Sequence, residues 1–171
     1  MFNSCFRQFS IAVRAVLLVA PLTAFGLQYE YEDEPPVSSL IETASDLAVL
    51  GEQAAASQQI IILAFSTEWC EYCEALDQQV LEPMLQNGDF AGRALLRKVM
   101  VDDVSDIRTF DGRRINTTSF AIERGVSLYP TLLFVDARGR ERVRRIVGIT
   151  VLEFAADNIA RAVQAALEAS P

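Results

Sequence analysis

Two cysteines, Cys70 and Cys73, are the side chains of this sequence best suited to chemistry. They stand three residues apart in the segment AFSTEWCEYCEA, directly after an apolar run, and the chain contains no histidine. Residues i and i+3 of a helix face the same side, so these thiols can close and reopen a disulfide without large backbone movement. The free N–H groups and positive dipole end at a helix start favour the thiolate, which is the reactive form. The pair therefore predicts thiol–disulfide exchange.

The two positions predict different roles. Cys70 precedes the helix and should be the exposed, attacking sulfur, whereas Cys73 lies one turn inside and should be the more buried, resolving sulfur. A passive structural disulfide is one alternative, but a bridge that closes so short a loop stabilises little. A metal site is another, although zinc usually takes four ligands. We expect a redox-active Cys70–Cys73 disulfide, with no other cofactor and no metal.

Residues 1–26 predict a secretory signal peptide. Arg7 and Arg14 are the only charges there, and an apolar stretch and small residues follow them. An uncleaved membrane anchor is the alternative, but the uncharged run is shorter than the roughly 20 residues that a bilayer requires. We therefore expect export with cleavage. Cys5 would leave with the signal, so that Cys70 and Cys73 would be the only cysteines of the mature chain.

The remaining composition indicates one globular domain. The chain has 171 residues, mean hydropathy +0.21 and net charge −8, and this acidity gives no electrostatic reason to bind nucleic acid. Residues 27–37 read as an acidic linker and 38–171 as the domain. Hydrophobic periodicity predicts alternating helices and strands that finish in a hairpin, hence a mixed central sheet with helices on both faces and an extra N-terminal helix. The predicted helices are 38–57, a stretch after the cysteines broken at Pro83, 118–124 and 152–166, and the predicted strands are 60–65, 95–101, 131–136 and 142–147.

Three segments together resemble the thioredoxin superfamily: Trp69-Cys70-Glu71-Tyr72-Cys73 after a buried strand, Tyr129-Pro130-Thr131 before another, and Val147-Gly148 before the last helix. The resemblance covers roughly residues 58–168 and implies a thioredoxin-like fold. The segment 110–126 is further similar to exported bacterial thioredoxin-like proteins of sulfur-oxidation gene clusters. That similarity implies a periplasmic location.

The resemblance also implies roles for residues outside the cysteine pair. Pro130 would follow a cis peptide bond and face the sulfurs, and the backbone of Tyr129 would pair with the partner chain. Trp69 would shape the same substrate-binding groove. Without the resemblance, Pro130 would read as a trans proline that opens a strand, and Trp69 would equally suit the core.

The chain departs from the thioredoxin pattern at Ala64. Thioredoxins commonly carry a buried aspartate six residues before the first cysteine, where it takes the proton of the resolving thiol. Glu68 is the nearest possible replacement by sequence, and its alternative is an exposed loop charge. The residues 103–117 form a second departure, being longer than a compact thioredoxin needs.

Glu71 and Tyr72, between the cysteines, bear on redox direction. A carboxylate beside Cys70 opposes thiolate formation, which lowers the reduction potential and favours a reductase. We therefore expect an enzyme, a monomeric exported thiol–disulfide reductase that acts on protein disulfides and draws electrons from a membrane thiol–disulfide donor. The alternatives are an oxidase or isomerase of secreted proteins, and a non-catalytic binding module with the same fold.

Overall fold

A computed structural model describes residues 39–102, 105–149 and 151–169. All of them fall in the unit Val37–Pro171, and the other unit, Met1–Pro36, lies outside the described residues. The expected signal peptide and acidic linker lie outside them too. Within the described part of the chain, no helix is both long and apolar enough to span a membrane.

The described residues form six strands, which are β1 (Ile60–Ser66), β2 (Ala94–Met100), β3 (Asp106–Arg108), β4 (Arg114–Asn116), β5 (Thr131–Val135) and β6 (Ile146–Val147). A four-stranded mixed sheet in the order β2-β1-β5-β6 forms the centre of the domain. The strands β1 and β2 run parallel, while β5 is antiparallel to both β1 and β6. The predicted central strand is confirmed, because every residue of β1 is buried. The other two strands, β3 and β4, form a separate two-stranded hairpin.

Helices cover both faces of this sheet, as predicted. Alternate residues of β1 point to opposite faces, so that Ile61, Leu63 and Phe65 contribute to one core cluster and Ile60 and Ile62 to the other. The helices are α1 (Leu47–Ser57), α2 (Glu71–Leu76), a π-helical turn (Asp77–Leu81), α3 (Glu82–Gln86), α4 (Thr117–Glu123), a 3-10 turn (Leu152–Phe154) and α5 (Ala155–Glu168). The first cluster lies under α1, α4 and the β3–β4 hairpin, and the second under the remaining helices.

The predicted helix 38–57 is too long at its start. It begins at Leu47, where the side chain of Asp46 accepts a hydrogen bond from the N–H of Val49 and caps the helix. Residues 39–46 instead form an extended strap along β2: the N–H of Lys98 donates to Glu42 and the N–H of Ala44 donates to Lys98. These backbone pairs replace the helical ones that the spacing of apolar residues had suggested.

Two further segments differ from the sequence prediction. The long polar segment 103–117 contains the β3–β4 hairpin, in which Ile107 pairs with Ile115 and is fully buried. The predicted strand 142–147 is reduced to β6, with one isolated bridge between Val135 and Glu141. Backbone hydrogen bonds remain there, from the N–H of Arg142 to the carbonyl of Phe134 and from the N–H of Asp136 to the carbonyl of Arg140, but they do not form a continuous ladder.

Gly51→Ala is expected to destabilise the protein, although alanine normally favours a helix by about 1 kcal/mol over glycine. A Cβ at this buried position of α1 would lie 2.3 Å from the backbone oxygen of Ala137. The loop after β5 must then move, and we expect a loss of about 1–3 kcal/mol of unfolding free energy. Urea unfolding measures it, with the exposed helix substitution Gln53→Ala as control. An unfolding midpoint at or above the wild-type value would contradict this packing.

Candidate active site

The cysteine pair lies at the start of α2, just after the short loop that follows β1. Cys70 is the N-cap residue of α2, with extended backbone angles, and its sulfur accepts a hydrogen bond from the N–H of Cys73 at 3.1 Å. Its carbonyl accepts from the N–H groups of Cys73 and Glu74 at 2.9 and 3.0 Å. The helix start therefore directs the N–H of Cys73 at the first sulfur, an arrangement that stabilises a thiolate.

The two sulfurs are joined in a disulfide, and their environments differ. The Cα atoms of Cys70 and Cys73 are 5.2 Å apart, within the range that a disulfide spans. Cys73 is 2% exposed, whereas Cys70 is only half-buried. The predicted difference in burial is confirmed, and it leaves Cys70 as the sulfur that a partner can reach.

Aromatic side chains flank the disulfide on the surface. Trp69 is 88% exposed and Tyr72 is 71% exposed, so the alternative that placed Trp69 in the core is wrong. A groove beside Tyr72 is lined by Val80, Ile149 and Val151. Exposed aromatic and aliphatic groups next to a reactive sulfur provide apolar contact area for another chain.

The loop that carries Tyr129 and Pro130 lies at the same edge of the sheet as the cysteines. Phe65 of β1 pairs with Thr131 of antiparallel β5, so the residues after β1 and those before β5 emerge together. The Tyr129–Pro130 peptide bond is cis. The carbonyl of Pro130 accepts a hydrogen bond from the N–H of Gly148 at 2.8 Å, which ties this loop to the end of β6.

Asp102 links the cysteine loop to Tyr129. Its carboxylate accepts a hydrogen bond from the backbone N–H of Glu68 at 2.8 Å. Burial raises the pKa of the Tyr129 phenol, and the charge of Asp102 raises it further. Three carboxylates around the site are exposed, those of Glu68, Glu71 and Asp102, so the rim of the site is acidic.

A buried ion pair beneath the site was missed by the sequence analysis. The ammonium of Lys98, on β2, contacts the carboxylate of Asp77 at the end of α2. Asp77 is 7% exposed. Two features of the sequence could have indicated this pair. Asp77 follows Cys73 at a helical spacing of four residues, and Lys98 is the single lysine of the chain. In the described ranges, no group of three His, Cys, Asp or Glu side chains is placed to hold a metal ion.

Comparisons with solved structures return thioredoxins. A single-site mutant of thioredoxin from Halobacterium salinarum is 21% identical, covering 76% of this chain and 93% of that one, with a TM-score of 0.49. Fasciola hepatica thioredoxin is 18% identical, covering 72% and 97%, with a TM-score of 0.49. Oxidised thioredoxin O2 from Arabidopsis thaliana is 17% identical, covering 72% and 93%, with a TM-score of 0.47. No curated protein matches the chain significantly.

The narrower similarity to proteins of sulfur-oxidation gene clusters stays a prediction. A comparison with family models identifies the thioredoxin-like domain. The match spans residues 50–156, more than half of the sequence, and this range includes Cys70, Cys73, Pro130 and all strands of the central sheet. The chain therefore belongs to the thioredoxin-like domain family.

Proposed function

We propose that this protein is an exported thiol–disulfide oxidoreductase that works as a reductase. The observation that carries the proposal is the Cys70–Cys73 disulfide, with one sulfur accessible at a helix N-cap and the other buried one turn later. Such a pair can exchange with a partner disulfide through a mixed disulfide on Cys70, which Cys73 then resolves. Trp69 and the Tyr129–Pro130 loop flank the accessible sulfur and would contact the partner chain.

The carboxylates in the first turn of α2 favour the reductase direction. Glu71 and Glu74 occupy the first turn of α2, beside Cys70. Carboxylates there oppose the thiolate that the helix start favours, so the reduced form gains less stability and the reduction potential falls. A low potential means that the dithiol gives its electrons to a partner disulfide.

The direction is tested by equilibrating the mature protein with reduced and oxidised glutathione, and by turbidity in an insulin-reduction assay. We expect insulin reduction and a potential below that of the glutathione couple. A potential well above it would instead indicate an oxidase or isomerase. Failure to reduce insulin, with a disulfide that resists dithiothreitol, would indicate a binding module.

The compartment and partners follow from the proposed export. An exported monomer in the periplasm has no soluble nicotinamide-dependent reductase beside it, so a membrane thiol–disulfide protein would supply the electrons. Its substrates would be protein disulfides. Fusing residues 1–37 to an alkaline phosphatase that is active only outside the cytoplasm tests the export, and a phosphatase that stays inactive contradicts it.

Glu71→Gln is expected to make the protein more oxidising. Removing this carboxylate stabilises the reduced pair, and because the side chain is exposed the effect should be worth no more than about 1 kcal/mol. The equilibrium with glutathione should therefore shift toward the dithiol by about 2- to 5-fold, and less at 1 M salt. Glu52→Gln, an exposed carboxylate on α1, is the matched control. An unchanged equilibrium constant would mean that Glu71 does not set the redox direction.

A further inference from the structure

The ion pair between Asp77 and Lys98 is unusual for its burial. The side chains are 10% and 14% exposed, and Lys98 is the single lysine of the sequence. Charged groups are rarely buried unless they are paired, because removing them from water is costly. A fold that needs only stability is usually as well served by apolar residues at such positions. The pair therefore invites a functional explanation.

Asp77 is placed on the same side of its helix as the resolving cysteine. It follows Cys73 by four residues, and its N–H donates to the carbonyl of Cys73, a regular helical turn that brings the two side chains to one face. The helix is α-helical up to this residue and π-helical in the next turn, where the N–H of Glu82 donates to the carbonyl of Asp77. Single π-helical turns inside helices occur frequently at functional sites.

Lys98 lies next to two positions, the carboxylate of Asp77 and residue 64, where the thioredoxin pattern has its aspartate. In the parallel register of β1 and β2, Lys98 lies opposite Ala64. Ala64 contributes to the core cluster that also contains Leu76 and Val80 of the cysteine-bearing helix. The strand thus provides a methyl group, and the helix provides the buried carboxylate instead.

The charges around Asp77 suit a group that changes protonation. Burial raises the pKa of Asp77 above its ordinary value, and the hydrogen bond and charge of Lys98 offset part of that rise. Glu82 and Glu74, on the same helical stretch, raise it further. A carboxylate whose pKa lies nearer to neutrality is a more effective general base than an exposed one.

We propose that Asp77, held in place by Lys98, accepts the proton of Cys73 in the resolving step. The inference rests on the proposed exchange function. In the mixed disulfide, Cys73 is a thiol and the sulfur of Cys70 is bonded to the partner. The proton of Cys73 passes to Asp77, directly or through one water, as the sulfur of Cys73 attacks that of Cys70. The Cys70–Cys73 bond forms, the bond to the partner breaks, and the partner leaves as a thiolate that takes up a proton.

A neutral small disulfide, 2,2′-dipyridyl disulfide, separates the two steps in a stopped-flow experiment on the reduced protein. Attack by Cys70 releases one thiopyridone, and resolution by Cys73 releases the second. In Asp77→Asn we expect the first phase to keep its rate and the second to slow on the order of 10²-fold near neutral pH. The difference in second-phase rate between the wild-type protein and Asp77→Asn should become smaller above the ordinary cysteine pKa of about 8.5, because the thiol then ionises without a base.

Two variants separate a chemical role of Asp77 from a structural one. Glu52→Gln removes an exposed carboxylate from α1, away from Cys73 and Asp77, and should leave the second phase unchanged. Asp77→Asn combined with Lys98→Met removes the unpaired ammonium along with its partner. It should regain much of the unfolding midpoint that Asp77→Asn loses, while the second phase stays slow.

The two phases keep this proposal distinct from the proposed function. A second phase of normal rate in Asp77→Asn, or one restored together with stability in the double variant, overturns the role of Asp77 alone. A first phase in the wild-type protein no faster than that of a free exposed thiol would instead overturn the exchange function itself.

Discussion

Cys70→Ser abolishes thiol–disulfide exchange, and Cys73→Ser accumulates stable mixed disulfides with partner proteins; both are expected results. In the proposed exchange the accessible N-cap sulfur of Cys70 makes the first attack, so its loss should reduce the exchange rate to that of the uncatalysed reaction. The buried sulfur of Cys73 would make only the second attack. Without it, the complex on Cys70 cannot be resolved from within the protein.

Each reduced variant is mixed with insulin and with a periplasmic extract whose protein disulfides are intact, and non-reducing electrophoresis measures both outcomes. The double variant Cys70→Ser/Cys73→Ser is the control for non-covalent association. Alkylation of the reduced wild-type protein should modify Cys70 much faster than Cys73. Equal alkylation rates, or trapping by Cys70→Ser rather than by Cys73→Ser, would reverse the assignment of the two sulfurs.

Ala64→Asp is expected to destabilise the fold while making resolution faster. Ala64 is 4% exposed, and a carboxyl group there would compete with Asp77 for the single ammonium of Lys98. Burying a further, poorly paired carboxyl should cost about 2–4 kcal/mol of unfolding free energy near neutral pH. The same group adds a base beside the resolving thiol, so mixed-disulfide decay should accelerate there.

The pH dependence of this variant has a definite sign. Burial raises the pKa of the introduced carboxyl in the folded state above its unfolded value of about 3.9. Below that unfolded value the group is protonated in both states, so the penalty is smallest, and it grows as the pH rises through the folded-state pKa. Urea unfolding across pH measures the penalty, with the uncharged variant Ala64→Asn as control. Unfolding and decay rates that both match the wild type would show that this side chain does not lie beneath the cysteines.

The central features of the fold and site were predictable because local signals determine them. A short unbroken apolar run that is rich in β-branched residues favours a strand buried on both faces, and β1 is one. Cys70 precedes a helical pattern, and it caps that helix. The strap 39–46 could not be predicted, since its apolar residues also fit a helix and only its backbone pairing with β2 decides between the two.

The buried carboxylate was missed for a related reason. Glu68, the candidate that lies near Cys70 in the sequence, is exposed in the structure. Asp77 and Lys98 meet only after β2 packs beside β1, so no local pattern reveals the pair. The export signal, the linker, the redox direction and the proton-acceptor role of Glu68 stay predictions.

The strap has a consequence for how this sheet meets other molecules. An uncovered outer strand offers free N–H and C=O groups that can recruit a strand from a neighbouring chain. Here Thr43 bridges to Lys98 on the outer side of β2, and at the opposite border β6 is only two residues long. Neither border therefore presents a long open template for strand addition. The protein should therefore resist sheet-to-sheet aggregation.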